Sequence, residues 1–191
     1  MSLSDPVVRI SVVVTFLRMD APPATATPPL PADAETRHER DCDVPRYRYF
    51  YNNVGADYVW WLRRTMPDRQ LAALLRDPDT EIHVLFHQGQ PAGFYELDRS
   101  NAPLVNLSYF GLLPHAVGHH LGYPFLRHAI ETAWAGNTRA LTVNTCTADH
   151  PRALPTYLRA GFHTVRQVRE DWDVPERLGL VIPDRLRIQK S

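Results

Sequence analysis

Apolar residues along this chain fall into short runs of two periods. Val7 to Met19, rich in Val, Ile and Phe, reads as a strand. The following stretch, Ala21 to Pro31 (APPATATPPLP), cannot pair in a sheet because prolines lack the backbone donor, so a linker or extended arm is expected there. Glu35 to Asp43 is polar and shows no clear period. Between Arg46 and Arg64 stand seven aromatic residues, Tyr47, Tyr49, Phe50, Tyr51, Tyr58, Trp60 and Trp61. Rings of that size are expected to pack a core, with an acceptor pocket as the other reading. Asp68 is expected to cap a short amphipathic helix carrying Leu71, Leu74 and Leu75, which stops before Pro78.

The second half of the pattern is more regular. Glu81 to Phe86 alternates, a His87–Pro91 turn follows, and Ala92 to Asp98 returns as a second strand, which makes a hairpin. Val105 to Leu113 reads as a strand, Tyr123 to Trp134 as a helix closed by Gly136, and Ala140 to Cys146 as a strand rich in Thr and Val. The helix gathers Phe125, Leu126, Ala129, Ile130, Ala133 and Trp134 on one face, so it is expected to pack back on the sheet through a right-handed crossover. A last helix from about Pro151 to Ala160 ends at Gly161, where a left-handed cap is common, and a strand from Phe162 to Val168 follows.

Length and composition bound the reading. With 191 residues, 44% of them hydrophobic, the chain suits one globular domain at 34–191 preceded by a strand and Pro-rich arm at 1–33. Its 21 basic and 21 acidic residues cancel, so no global field favours nucleic acid or an anionic membrane. Cys42 and Cys146 make neither a disulfide framework nor a zinc spacing, which fits a reducing, cytoplasmic compartment. The most apolar early stretch, Val7 to Leu17, is broken by Arg9 and falls well short of the roughly 20 residues of a membrane span.

Chemistry enters at Tyr109–Ile130, which runs strand, glycine-containing loop, helix. Unpaired N–H groups at a helix N-terminus attract phosphate, and glycine lets the backbone approach it. Further on, Ala153-Leu154-Pro155-Thr156-Tyr157-Leu158-Arg159-Ala160-Gly161-Phe162 resembles the late A-L-x-x-Y-x-x-x-G-F motif of the GNAT acyltransferases. The earlier loop of that family, Arg/Gln-x-x-Gly-x-Gly/Ala, is matched in part by Val117, Gly118, His119, His120, Leu121 and Gly122. Val117 stands where the family has Arg or Gln, and His120 where it has its inner glycine.

The resemblance covers Glu81 to Val168 and implies an α/β fold: a mixed, mostly antiparallel central sheet flanked by helices, with two parallel strands splayed to form an acyl-CoA cleft. It implies an N-acyltransferase passing acetyl from acetyl-CoA to a primary amine by direct attack, the acceptor being a small molecule or a protein. A catalytically silent acyl-CoA-binding or regulatory module is the alternative, prompted by Val117 and His120. Phe110, Gly111 and Leu112 would face the pantetheine, and the 117–122 amides the pyrophosphate. Tyr157 matches the tyrosine that protonates the departing thiolate, with helix packing as its other reading. Glu96 is the expected base, with Asp98 and His150 behind it, and a water oriented by Asn106 or Ser108 is the alternative. A metal at His115, His119 and His120 is not expected, nor is a Cys146–His150–Asp149 nucleophile. Neither nucleic acid nor membrane is expected as a partner; a homodimer is left open.

Overall fold

The computed structural model describes residues 5–189. They form the strands β1 (Val7–Met19), β2 (Ala34–His38), β3 (Thr80–His87), β4 (Gln90–Asp98), β5 (Leu104–Leu112), β6 (Ala140–Cys146) and β7 (His163–Pro175). The helices are α1 (Val44–Val54), α2 (Leu62–Thr65), α3 (Asp68–Leu75), α4 (Gly122–Trp134) and α5 (Ala153–Arg159), with four short 3₁₀ turns between or after these elements.

All seven strands join one sheet in the order β2-β3-β4-β5-β6-β1-β7, antiparallel throughout except for the parallel pair β5–β6. The boundary drawn at residue 33 therefore does not set β1 apart. That strand lies inside the sheet, bonded to β6 on one side and β7 on the other. From its end at Met19 the proline-rich segment crosses to β2 at the opposite edge. It is pinned on the way by Arg127 of α4, which is 4% exposed and donates to the Thr25 carbonyl at 2.6 Å.

Helices α1, α3 and α4 are held to the sheet by the face their sequence made apolar. Phe125, Leu126, Ala129, Ile130 and Ala133 of α4 are buried against Leu97, Val105, Leu107 and Leu141. Burying a side chain of the Phe, Leu or Ile kind stabilises by roughly 1.5–3 kcal/mol, which is why a single amphipathic helix can cover this face. On the opposite face α1 and α3 bury Tyr47, Phe50, Tyr51, Val54 and Leu71 against Ile82, Val84 and Phe94. A third cluster packs Ile10, Val12 and Val14 of β1 against Val59, Ile182 and Leu186.

Two local expectations change. The polar stretch after residue 33 supplies edge strand β2 and then Asp43, which caps α1 by accepting from the Arg46 amide at 2.8 Å. Asp68 lies inside α3 and caps nothing; its carboxylate instead receives Arg48 of α1 at 2.6 Å, tying the two helices together.

Candidate active site

The site begins where β5 and β6 stop pairing. Their parallel register runs from Leu104↔Ala140 only to Leu107↔Val143, although β5 continues to Leu112 and β6 to Cys146. At the same point β5 carries a bulge. Leu97 pairs with Leu107 and Glu96 with Tyr109, which leaves Ser108 as an extra residue. A bulge reverses which face the next side chains address. Tyr109 accordingly joins the α1 side, and Phe110 packs with the α4 side. Beyond Leu107, the edge of β5 that faces β6 has no strand partner, and a cleft of about 670 Å³ opens there.

One end of this cleft is made by Phe110, Gly111, Leu112 and the loop ahead of α4. Val117, Gly118, His120, Leu121 and Gly122 line it. His119 does not: its ring lies 5.6 Å from that of His87 and outside the lining. Gly118 and His120 have φ of +92° and +60°, in the left-handed region that favours glycine. His120 thus occupies a conformation suited to the family's usual glycine. The N-terminus of α4 has no side-chain cap, so its first amides keep their donors for an anion. Arg159 reaches the same end, its guanidinium 4.0 Å from the centre of the Tyr123 ring. Sequence reading passed over it, although it lies two residues beyond Tyr157 in the quoted motif.

Gly111 is required by close approach, since a Cβ there would meet Val54 of α1 at 2.3 Å. The other end of the cleft is built by the turn after α1. Gly55 leaves no room for a Cβ because Trp60 lies at 2.3 Å, and Val59 is held at φ +57°, a costly conformation for a β-branched residue. Together they aim Trp60 inward, so that Tyr51, Trp60 and Tyr109 form a wall of rings with centroids 4.9–5.3 Å apart.

Tyr157 of α5 lines the cleft with 7% exposure, flanked by Phe110 and Phe162. Burial, and secondarily the Asp149 carboxylate, push its hydroxyl above the ordinary tyrosine range, so it stays protonated at neutral pH. Asp149 also lines the cleft, and it accepts from the Trp60 indole at 3.3 Å, the Thr145 hydroxyl at 2.8 Å and the Cys146 amide at 2.8 Å. The Cys146 thiol is pushed up to about 12, first by burial and then by Asp149, so it is a neutral thiol.

Glu96, expected as the base, is not brought into the cleft. It is 1% exposed, accepts from the Tyr47 hydroxyl at 2.5 Å and from Arg63 at 2.7 Å, and does not line the cleft. The reason is the strand face: Phe94 and Glu96 both point toward α1, and Glu96 lies beneath Arg63 and Tyr109. Asn106 and Ser108 bond to each other at 3.0 Å, and His150 lines the cleft. Among the described residues no group of three His, Cys, Asp or Glu side chains is placed to hold a metal, and no helix is long and apolar enough to cross a membrane.

Fold and cleft together define a sheet forked beside an uncapped helix N-terminus. The model of the acetyltransferase (GNAT) family matches residues 47–162. Among solved structures, a GCN5-related N-acetyltransferase from Kribbella flavida is 14% identical over 91% of this chain and 59% of its own, with a TM-score of 0.57. One from Sphaerobacter thermophilus is 16% identical over 90% of this chain and 54% of its own, TM-score 0.59. An aminoglycoside acetyltransferase from an uncultured soil metagenomic sample is 13% identical over 67% of this chain and 87% of its own, TM-score 0.54. This chain thus spans a little over half the length of the first two. No curated protein matches it. The chain belongs to the GNAT acetyltransferase family, whose members use acetyl-CoA as cosubstrate.

Proposed function

We propose that this protein transfers the acetyl group of acetyl-CoA to an amine by direct attack in a ternary complex. The observation that carries the reading is the fork: β5 and β6 part beside an uncapped helix N-terminus, and Tyr157 lines the space between. In this reading the 117–122 loop and the first amides of α4 hold the pyrophosphate, with Arg159 supplying the cation that Val117 does not. Phe110, Gly111 and Leu112 hold the pantetheine, and the open edge of β5 offers N–H groups to the thioester oxygen as it gains charge.

The amine nitrogen, once neutral, bonds to the acetyl carbon; the carbon–sulfur bond breaks and the sulfur leaves as thiolate. Tyr157 delivers its proton to that sulfur and is reprotonated from solvent, while the new amide nitrogen releases its extra proton. Direct attack is supported by the neutral Cys146 thiol, which makes a poor nucleophile for an acyl-enzyme. Family membership and a tyrosine lining the fork favour an enzyme over a silent acyl-CoA-binding module.

Gly122→Val tests the donor site. A Cβ at Gly122 meets only Leu112 at 3.7 Å, an ordinary contact, so the variant is expected to fold, but its methyl groups would cover the helix N-terminus. Calorimetry is expected to show CoA affinity reduced by about tenfold or more, or roughly 1.4 kcal/mol, at unchanged melting temperature. Wild-type affinity in the folded variant would place the pyrophosphate elsewhere.

A further inference from the structure

We infer that the acceptor is a small primary amine with an aromatic body, held with its ammonium on Asp149 and its ring against the wall of Tyr51, Trp60 and Tyr109. The inference rests on the acetyl-transfer reading and specifies its substrate. Aromatic side chains line this end of the cleft on several elements: Phe16 from β1, Tyr58 and Trp61 from the turn after α1, and Trp172 from β7. All four are only partly buried, though side chains of this size contribute most when fully covered. Rings left partly open inside a cleft offer a flat apolar ligand a surface to cover.

Charge selects within that class. The ring wall ends at Asp149, whose Oδ1 is fixed by the Trp60 indole and whose Oδ2 is fixed by the Thr145 hydroxyl and the Cys146 amide. A carboxylate oxygen takes about two hydrogen bonds, so Oδ1 keeps capacity for an N–H donor. Glu170 adds a second carboxylate to the lining. Arg63, 5.4 Å above the Tyr109 ring, is already paired with Glu96, and Arg166 of β7 stacks 4.4 Å over the Phe16 ring. The arginines that line the cleft, Arg152 and Arg159, come from the α5 side. Ring faces and carboxylates together attract a cation with a flat apolar body. A polyhydroxylated amine would leave its hydroxyls unpaired against the rings, and a carboxylate beside the amine would meet Asp149.

The test uses the full chain. CoA binding is first measured by calorimetry, and thiol release from acetyl-CoA is then followed with phenethylamine, phenylalanine, spermidine, kanamycin and a lysine peptide. Phenethylamine is expected to exceed each of the others in kcat/KM by about tenfold or more. Asp149→Asn is expected to raise the KM for phenethylamine by about tenfold or more while CoA affinity stays near wild type. CoA binding with preference for spermidine, kanamycin, phenylalanine or the peptide overturns the acceptor class and leaves acetyl transfer standing. No CoA binding by the wild type overturns both. The wild-type panel decides the class even if Asp149→Asn does not fold.

Discussion

Tyr157→Phe is expected to lower turnover by about 10²- to 10⁴-fold, the usual worth of general-acid help, or roughly 2.7–5.4 kcal/mol of barrier. The substitution removes one hydroxyl from a ring that stays buried between Phe110 and Phe162, so melting temperature and CoA affinity are expected to stay near wild type. The loss therefore belongs to kcat. The direction of the pKa shift adds a second signature. A hydroxyl raised above the ordinary tyrosine range remains an acid as pH rises, so wild-type kcat is expected to show no alkaline limb from this group below about pH 10. Turnover within about threefold of wild type, where chemistry limits the rate, would remove Tyr157 from the acid role. Unfolding of the variant would return it to packing.

The second large effect is on stability. Glu96→Ala leaves Arg63 without its carboxylate and the buried Tyr47 hydroxyl without its acceptor. Breaking a buried pair from one side costs about 3–5 kcal/mol. For a chain of this size each kcal/mol moves the melting temperature by roughly 2–4 °C, so thermal unfolding is expected to shift down by about 6 °C or more. Below that transition the folded variant should keep its CoA affinity. A variant that melts within 2 °C or so of wild type yet loses turnover and its acidic rate limb would restore Glu96 as the base.

Much of this was legible in the sequence, and the gaps have physical causes. Strands β3 and β4 could be read as continuous apolar runs because their central residues are buried on both faces, and helix α4 because its apolar residues share one face. The A-L-x-x-Y-x-x-x-G-F motif marked Tyr157 before the fold placed it in the cleft. Helix α1 buries Tyr47, Phe50, Tyr51 and Val54 at helical spacing, but the exposed Tyr49 among them blurs the stripe, though Asp43 followed by Pro45 was an available start signal. β7 extends to Pro175, well past the expected Val168, because it pairs with β1 as far as Val7, and its exposed charged residues hide that length in the sequence. The role of Glu96 was hidden by the bulge at Ser108. Strict alternation would have put Tyr109 on the α4 side; the extra residue turns it over Glu96 instead. The sequence places Asp149 in the segment Asn144–Pro151, suited to the acceptor or cysteamine end of the site, but not against Trp60, because that contact spans 89 positions in sequence.

Acetyl transfer by direct attack is tested most directly by initial rates of thiol release, measured with acetyl-CoA and an accepted amine varied together. The account predicts release that depends on the amine and double-reciprocal lines that intersect, as a ternary complex requires. Parallel lines would instead show an acetyl-enzyme, and CoA binding without thiol release for any amine would show a protein that holds the donor and does not use it.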